Sequence, residues 1–255
     1  MVTIVISIIA LSVSVLTAYF NSRQKKFETQ RTLRNQLTEV LGKIATLNLE
    51  LAKIPQEGQS ASGLTAGMRG HLVDQKRLLV RQANYITDQI PELVNPFEYL
   101  IIAGGFVDID DTYQAEEFFR KAIVQAGSEQ VNLGIVTRNF ARFLFSQGET
   151  ERAREQYSVA LGVFSGESDI SKFYRGDTYL RWGSQELDWS YRENANQLFE
   201  CARAEFDSQR NPISKRRNLQ HLSSLINSTT PLERPTDVDI RMTSSKEDDQ
   251  KNYSV

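Results

Sequence analysis

The chain has 255 residues, a formal net charge of −2 and no long basic block, so it lacks the clustered basic face that nucleic-acid binders carry. A single cysteine, Cys201, excludes an intrachain disulfide framework. Two histidines, His71 and His221, stand outside any HExxH or Cys/His cluster and leave no zinc signature.

Residues 1–22 contain no charged side chain and are dominated by Val, Ile, Leu and Ala. At about 1.5 Å per residue such a helix nearly crosses a hydrocarbon core of about 30 Å, so the segment predicts a transmembrane helix. A cleaved signal peptide is the competing reading, but no basic region precedes the apolar run and no A-x-A site follows it. Arg23, Lys25, Lys26, Arg31 and Arg34 follow at once, and the positive-inside rule then predicts a single-pass membrane protein with its C-terminal bulk in the cytoplasm. Tyr19 and Phe20 stand where interfacial aromatics anchor a span. Thr3, Ser7, Ala10, Ser14 and Ala18 form a small-residue stripe that would let two spans approach closely.

Residues 23–90 read as a juxtamembrane helical hairpin or coiled coil. Leu33, Leu37, Val40, Ile44, Leu47, Leu51 and Ile54 alternate steps of four and three, a heptad seam. Leu41, Ala45, Leu49 and Ala52 widen that face, which predicts more than one packing neighbour. Pro55 ends the helix, and residues 56–70, rich in Gly, Ser and Ala, read as a flexible connector. A second helix over residues 71–90 carries Leu72, Leu79, Ala83, Ile86 and Ile90 on one face. It either folds back on the first or leaves the seam free for an intermolecular coiled coil.

Pro91 breaks this helix, and Asn95, Pro96 and Glu98 then give a helix-start signature: an N-cap side chain, a first-position proline and an N3 glutamate. Asp108, Asp110 and Asp111 crowd the next turn; without the glycine and distal glutamate of a calcium loop they read as caps. The organising unit is residues 138–160. Ala141, Leu144 and Phe145 share one helical face, Gly148 permits a turn, Glu149 and Thr150 open a second helix, and Ala153, Tyr157 and Ala160 line its face. The pattern recurs upstream as Ala103, Ala115, Phe119 and Ala122, and downstream as Gly183, Ala195, Phe199 and Ala202.

These small and aromatic positions resemble the tetratricopeptide repeat, with spacings of about 38 and 42 residues where that family uses about 34. The resemblance covers roughly residues 96–207; a plain helical bundle with close Ala contacts is the other way to use the same residues. It implies an all-α chain in which residues 91–226 form an α-solenoid of about three helix pairs. It also implies a concave face, lined by the first helix of each pair, that binds a protein or peptide partner. One subset of the family grips a terminal carboxylate with basic and Asn side chains. Matching positions here are Arg138, Asn139 and Arg142, while Leu100 and Gly104 of the first pair are not basic.

Residues 162–176 read as a loop with a short helical piece, with Asp177 of the Arg175-Gly176-Asp177 triplet as a cap for the next helix. Cys201, in an apolar helical setting, reads as a packing residue. Residues 213–226 place Leu219, Leu222 and Ile226 on one face and resemble a capping helix. Residues 227–255 turn to Ser, Thr, Pro and charge and read as a largely disordered tail. No phosphate loop, nucleophile elbow or dinucleotide turn is present. The chain therefore reads as a membrane-tethered adaptor without catalytic, cofactor or metal residues, or alternatively as a structural homo-oligomer built through its coiled coil and span.

Overall fold

The computed structural model describes residues 2–54 and 63–229, with side chains over 16–54 and 66–227. Every described element is helical, so the chain is all-α: α1 (Val2–Lys53), α2 (Gly63–Gln89), a 3-10 turn (Pro91–Leu93), α3 (Pro96–Asp108), α4 (Thr112–Ala126), α5 (Gln130–Ser146), α6 (Thr150–Val163), α7 (Asp169–Asp188), α8 (Arg192–Asp207) and α9 (Pro212–Thr229). Among the described residues no helix is long and apolar enough to cross a membrane. The span predicted over residues 1–22 falls largely outside the described side chains, and the predicted tail lies outside the described residues from 230 onward.

The 52 residues of α1 form one unbroken helix. Its seam is covered within the chain: Leu37, Val40, Ile44 and Leu47 are buried, and Leu33, Leu51 and Ile54 are half-buried. Leu37, Val40 and Ile44, with Leu33 at the rim, share one core cluster with Val80, Ala83 and Ile86 of the hairpin partner α2, with Ile90 just after it, and with Ile102 and Phe106 of α3. The predicted widening of this face occurs only at Leu41, since Ala45, Leu49 and Ala52 are exposed. Helix α3 lies beside α1 from Arg34, which binds Glu98, to Asn48, which Lys76 bridges to Asp108. The second helix starts at Gly63, earlier than the predicted residue 71. Part of the predicted connector is thus helix, and Arg69, Val73 and Lys76 lie beside Asn48, Leu51 and Ile54. Packing along α1 outweighs the helix cost of Gly67 and Gly70, roughly 1 kcal/mol each relative to Ala.

The start of α3 is the capping box expected from sequence: Asn95 accepts from the Glu98 backbone N–H (3.0 Å), and Glu98 accepts from that of Asn95 (2.9 Å). Glu98 also accepts from Arg34 (2.6 Å), which ties the hairpin to the first helix pair. Asp111 caps α4 by accepting from Gln114 N–H, while Asp108 is instead bound to the buried Lys76.

Helices α3 and α4, α5 and α6, and α7 and α8 form three pairs joined by turns of one design. Asp110 (φ 59°), Gly148 (φ 81°) and Ser190 (φ 66°) each adopt a left-handed conformation. Each stands five residues before the first alanine of the next helix, Ala115, Ala153 or Ala195. The residue after each turn donates back five positions, Asp111 to Phe106, Glu149 to Leu144 and Tyr191 to Glu186, at 2.8–3.0 Å. This is the Schellman closure, which satisfies carbonyls left open at a helix end.

All small and aromatic positions of the three-fold pattern are buried. In the third pair, a side chain at Gly183 would meet the Phe199 ring at 2.7 Å. A second shared device is Gly134 under the Phe164 ring and Gly176 under the Phe206 ring, where an added Cβ would come within 2.2 and 2.4 Å. Residues 162–176 are mostly helix, not the predicted loop with a short helical piece. Only residues 164–168 lie outside helix, because α7 begins at Asp169 with Ser168 as its cap. Asp177 is therefore not a cap but a mid-helix residue.

The apolar core comes in two blocks. One runs from Leu37 to Tyr157, and the other joins Leu180, Ala195, Phe199, Ala202 and Phe206 to Leu222 of the capping helix α9. Cys201 is exposed, contrary to its sequence reading, because α8 buries the face carrying Ala195, Phe199, Ala202 and Phe206. Since Ala141 and Ala160 have no exposed surface, Ala141→Leu and Ala160→Leu should each cost about 1–3 kcal/mol by overpacking. Urea unfolding of the two variants checks this; midpoints equal to wild type would mean that these alanines are not at close helix contacts.

Candidate functional site

The first helices of the three pairs converge on one cavity of about 480 Å³. Leu100, Gly104, Val107 and Asp108 of α3 form one wall, Asn139, Arg142, Phe143 and Ser146 of α5 the middle, Phe119 of α4 the floor, and Gln185 of α7 the far edge. The floor is aromatic: Phe119 stacks on Phe140 and Phe143 with ring centroids 5.8 and 5.0 Å apart. Gly104 faces open space where Gly105, its neighbour, would press a side chain onto Val80. The absence of a side chain at Gly104 therefore widens the groove.

The three residues singled out from sequence part company here. Arg142 is exposed in the groove, and its guanidinium makes no hydrogen bond or ion pair among the described residues. Asn139 also lines the cavity, with its amide donating to the Ile135 carbonyl (2.8 Å). Arg138 points elsewhere: its side chain is 9% exposed and its Nη1 donates to Asp177 of α7 at 2.6 Å. Burial pulls its pKa below the usual guanidinium value, and Asp177 opposes that shift. Its role is to tie α5 to α7 beneath the groove, so it is not available to a ligand. The alternation Leu100, Gly104, Val107 and the steps from Asn139 through Arg142 to Ser146 are one-face helical spacings. That periodicity could have marked Val107, Phe143 and Ser146 from sequence, whereas Phe119 and Gln185 arrive from other helices without a local signal.

The joint between the second and third pairs is polar. Glu186 of α7, 1% exposed, accepts from Arg154 Nε (2.8 Å) and Nη2 (2.7 Å) of α6 and from the Trp182 indole N–H (2.8 Å). Burial disfavours its charge, but Arg154 and Trp182 outweigh burial and hold its carboxyl below the usual range. Trp182 stacks on Tyr157 of α6 at 5.4 Å. Burial pushes the Tyr157 hydroxyl well above its ordinary pKa.

A larger cavity, about 630 Å³, lies on the outer face of α9 but is lined by that helix alone. Among the described residues no three His, Cys, Asp or Glu side chains converge as a metal site. No protein-family model, curated protein or solved structure matches this chain.

Proposed function

We propose that this protein is a single-pass membrane adaptor. In this reading its paired helices form a tetratricopeptide-like array in the cytoplasm, and a protein or peptide partner binds in the groove between α3, α5 and α7. The observation that carries the proposal is that groove. Three helices meet over an aromatic floor, and one guanidinium, Arg142, has no partner among the described residues. The uncharged run over residues 1–22, followed by its basic collar, supports the anchor and its orientation.

The chemistry favours an acidic peptide or a chain terminus. A planar guanidinium grips a carboxylate in two-point fashion, and Phe119 and Phe143 offer ring surface to an adjacent apolar side chain. The alternative of a homo-oligomer built through the coiled-coil seam has less to stand on, because no seam residue over 33–54 is exposed.

The test is fluorescence anisotropy of acidic peptides, with a free or an amidated C-terminus, on the full chain in detergent. Arg142→Glu should weaken binding roughly tenfold to a hundredfold, the worth of a lost charge-assisted hydrogen bond. The fold should be unchanged, because the side chain is exposed. Undiminished affinity at the same salt concentration, or no binding of either peptide to wild type, would sink the groove as the site.

A further inference from the structure

Residues 16–29 of α1 have no packing neighbour among the described residues. Residues 16–29 are all exposed, the first seam residue, Leu33, is half-buried, and Leu37 is buried. Along this overhang Leu16, Phe20, Arg23, Phe27 and Arg31 follow at steps of four, three, four and four. At 3.6 residues per turn they fall within an arc of about 80°. The same line continues to Arg34 and Leu41, which are respectively paired with Glu98 and buried. Farther along it reaches Ala45, Leu49 and Ala52, which are exposed, so the overhang stripe stands beside the packing seam of α1 and is open to solvent over most of its length.

Its chemistry is mixed in a specific way. Phe27 is 67% exposed although it is a large apolar residue. The side chains of Arg23, Lys25, Lys26 and Arg31 make no hydrogen bond or ion pair among the described residues, whereas Arg34, Lys76, Lys121, Arg138, Arg154 and Arg175 are all ion-paired. The sole carboxylate of the overhang, Glu28, accepts from Gln24 (2.9 Å). Arg23 and Arg31 thus flank the exposed ring on one face, and Lys26 and Lys25 add two uncompensated cations at the same level farther round the helix.

We propose that this collar of α1 binds anionic phospholipid headgroups, with Phe27 lying among them and Arg23, Lys25, Lys26 and Arg31 on their phosphates and carboxylates. The proposal rests on the membrane-anchor reading and adds lipid selectivity to it. If residues 1–22 cross the hydrocarbon, Phe27 lies about 8 Å beyond the span, near the depth of the headgroup layer. Basic side chains at that depth are attracted by anionic lipid, and long stems let them reach it while aromatic rings sit at the interface. A second copy is a poor occupant. Two chains anchored in one membrane run parallel, which would set Arg23, Lys26 and Arg31 against their own counterparts, and like charges brought together are repelled.

The test is electron spin resonance of the full chain reconstituted in phosphatidylcholine vesicles doped with spin-labelled phosphatidylserine or spin-labelled phosphatidylcholine. The protein should immobilise the anionic lipid severalfold more, since each cation near the surface contributes up to roughly fivefold. The variant R23Q/K25Q/K26Q/R31Q, or high salt, should abolish the difference while the chain stays in the vesicles. Equal immobilisation of the two lipids by a vesicle-bound wild type overturns this proposal alone, as does selectivity that survives in the variant. A chain that separates from the vesicles after an alkaline wash overturns the anchor reading and this proposal with it. Disulfide crosslinking between copies carrying Phe27→Cys and Cys201→Ser would assign the face to a second copy and overturn the lipid assignment.

Discussion

Arg138→Glu should unfold the paired helices, with a loss of about 3–5 kcal/mol, the cost of leaving a buried ion without its partner. The variant sets two carboxylates against each other where Arg138 now donates to Asp177 at 2.6 Å, in a site where the two side chains are 9% and 15% exposed. Reversal at Arg142, one turn along the same helix, should shift stability by no more than about 0.5 kcal/mol, because that residue is exposed. Urea unfolding of the full chain in detergent separates the two cases. Replacing the pair together, Arg138→Met with Asp177→Leu, should recover most of the loss, since apolar substitutes for a buried ion pair are often neutral or stabilising. Equal midpoints for Arg138→Glu and Arg142→Glu would mean that Arg138 does not hold α5 to α7.

Glu186→Ala should be nearly as damaging, by about 3 kcal/mol, because it strips the Trp182 indole N–H and two Arg154 N–H groups of their acceptor at once. It also predicts a pH dependence with a definite sign. The folded carboxyl titrates below its unfolded value, which is about 4.3 for glutamate. The contribution of Glu186 is therefore complete above about pH 4.3 and is lost as pH falls through the lower folded pKa. Glu186→Gln should be less stable than wild type at neutral pH, and the gap should narrow on acidification. A gap that stays constant down to the acid transition would show that the Glu186 charge does not hold the joint.

The two variants address the same structural feature from opposite sides. The core is divided between a block ending at Tyr157 and a block beginning at Leu180. What crosses the division is largely polar or aromatic: Arg138 with Asp177, Arg154 with Glu186, and Tyr157 stacked on Trp182. Apolar burial holds each block, and the charged pairs and the ring stack join them. Gln185 and Arg142 line one cavity from opposite sides of this joint.

What the sequence determined by itself was whatever depends on short separations. The Asn95 and Glu98 capping box spans three residues, the seam from Leu33 to Ile54 repeats within one helix, and the Ala and aromatic series fixes which face each paired helix buries. Such signals are legible because a helix places residues three and four apart on one side whatever else the chain does. Tertiary structure decided the rest, wherever a residue's partner lies tens of positions away. Arg138 and Arg142 look alike as a stripe one turn apart; the carboxylate of Asp177, 39 positions on, buries one and leaves the other open to the groove. Residues 162–176 carry turn formers, yet the Phe206 ring requires a bare Gly176 inside a helix. Cys201 sits beside Ala202 in sequence, yet a step of about 100° per residue turns it outward. Composition and period fixed which residues could be buried, and only the packing of one helix pair on the next chose which charges were buried with them.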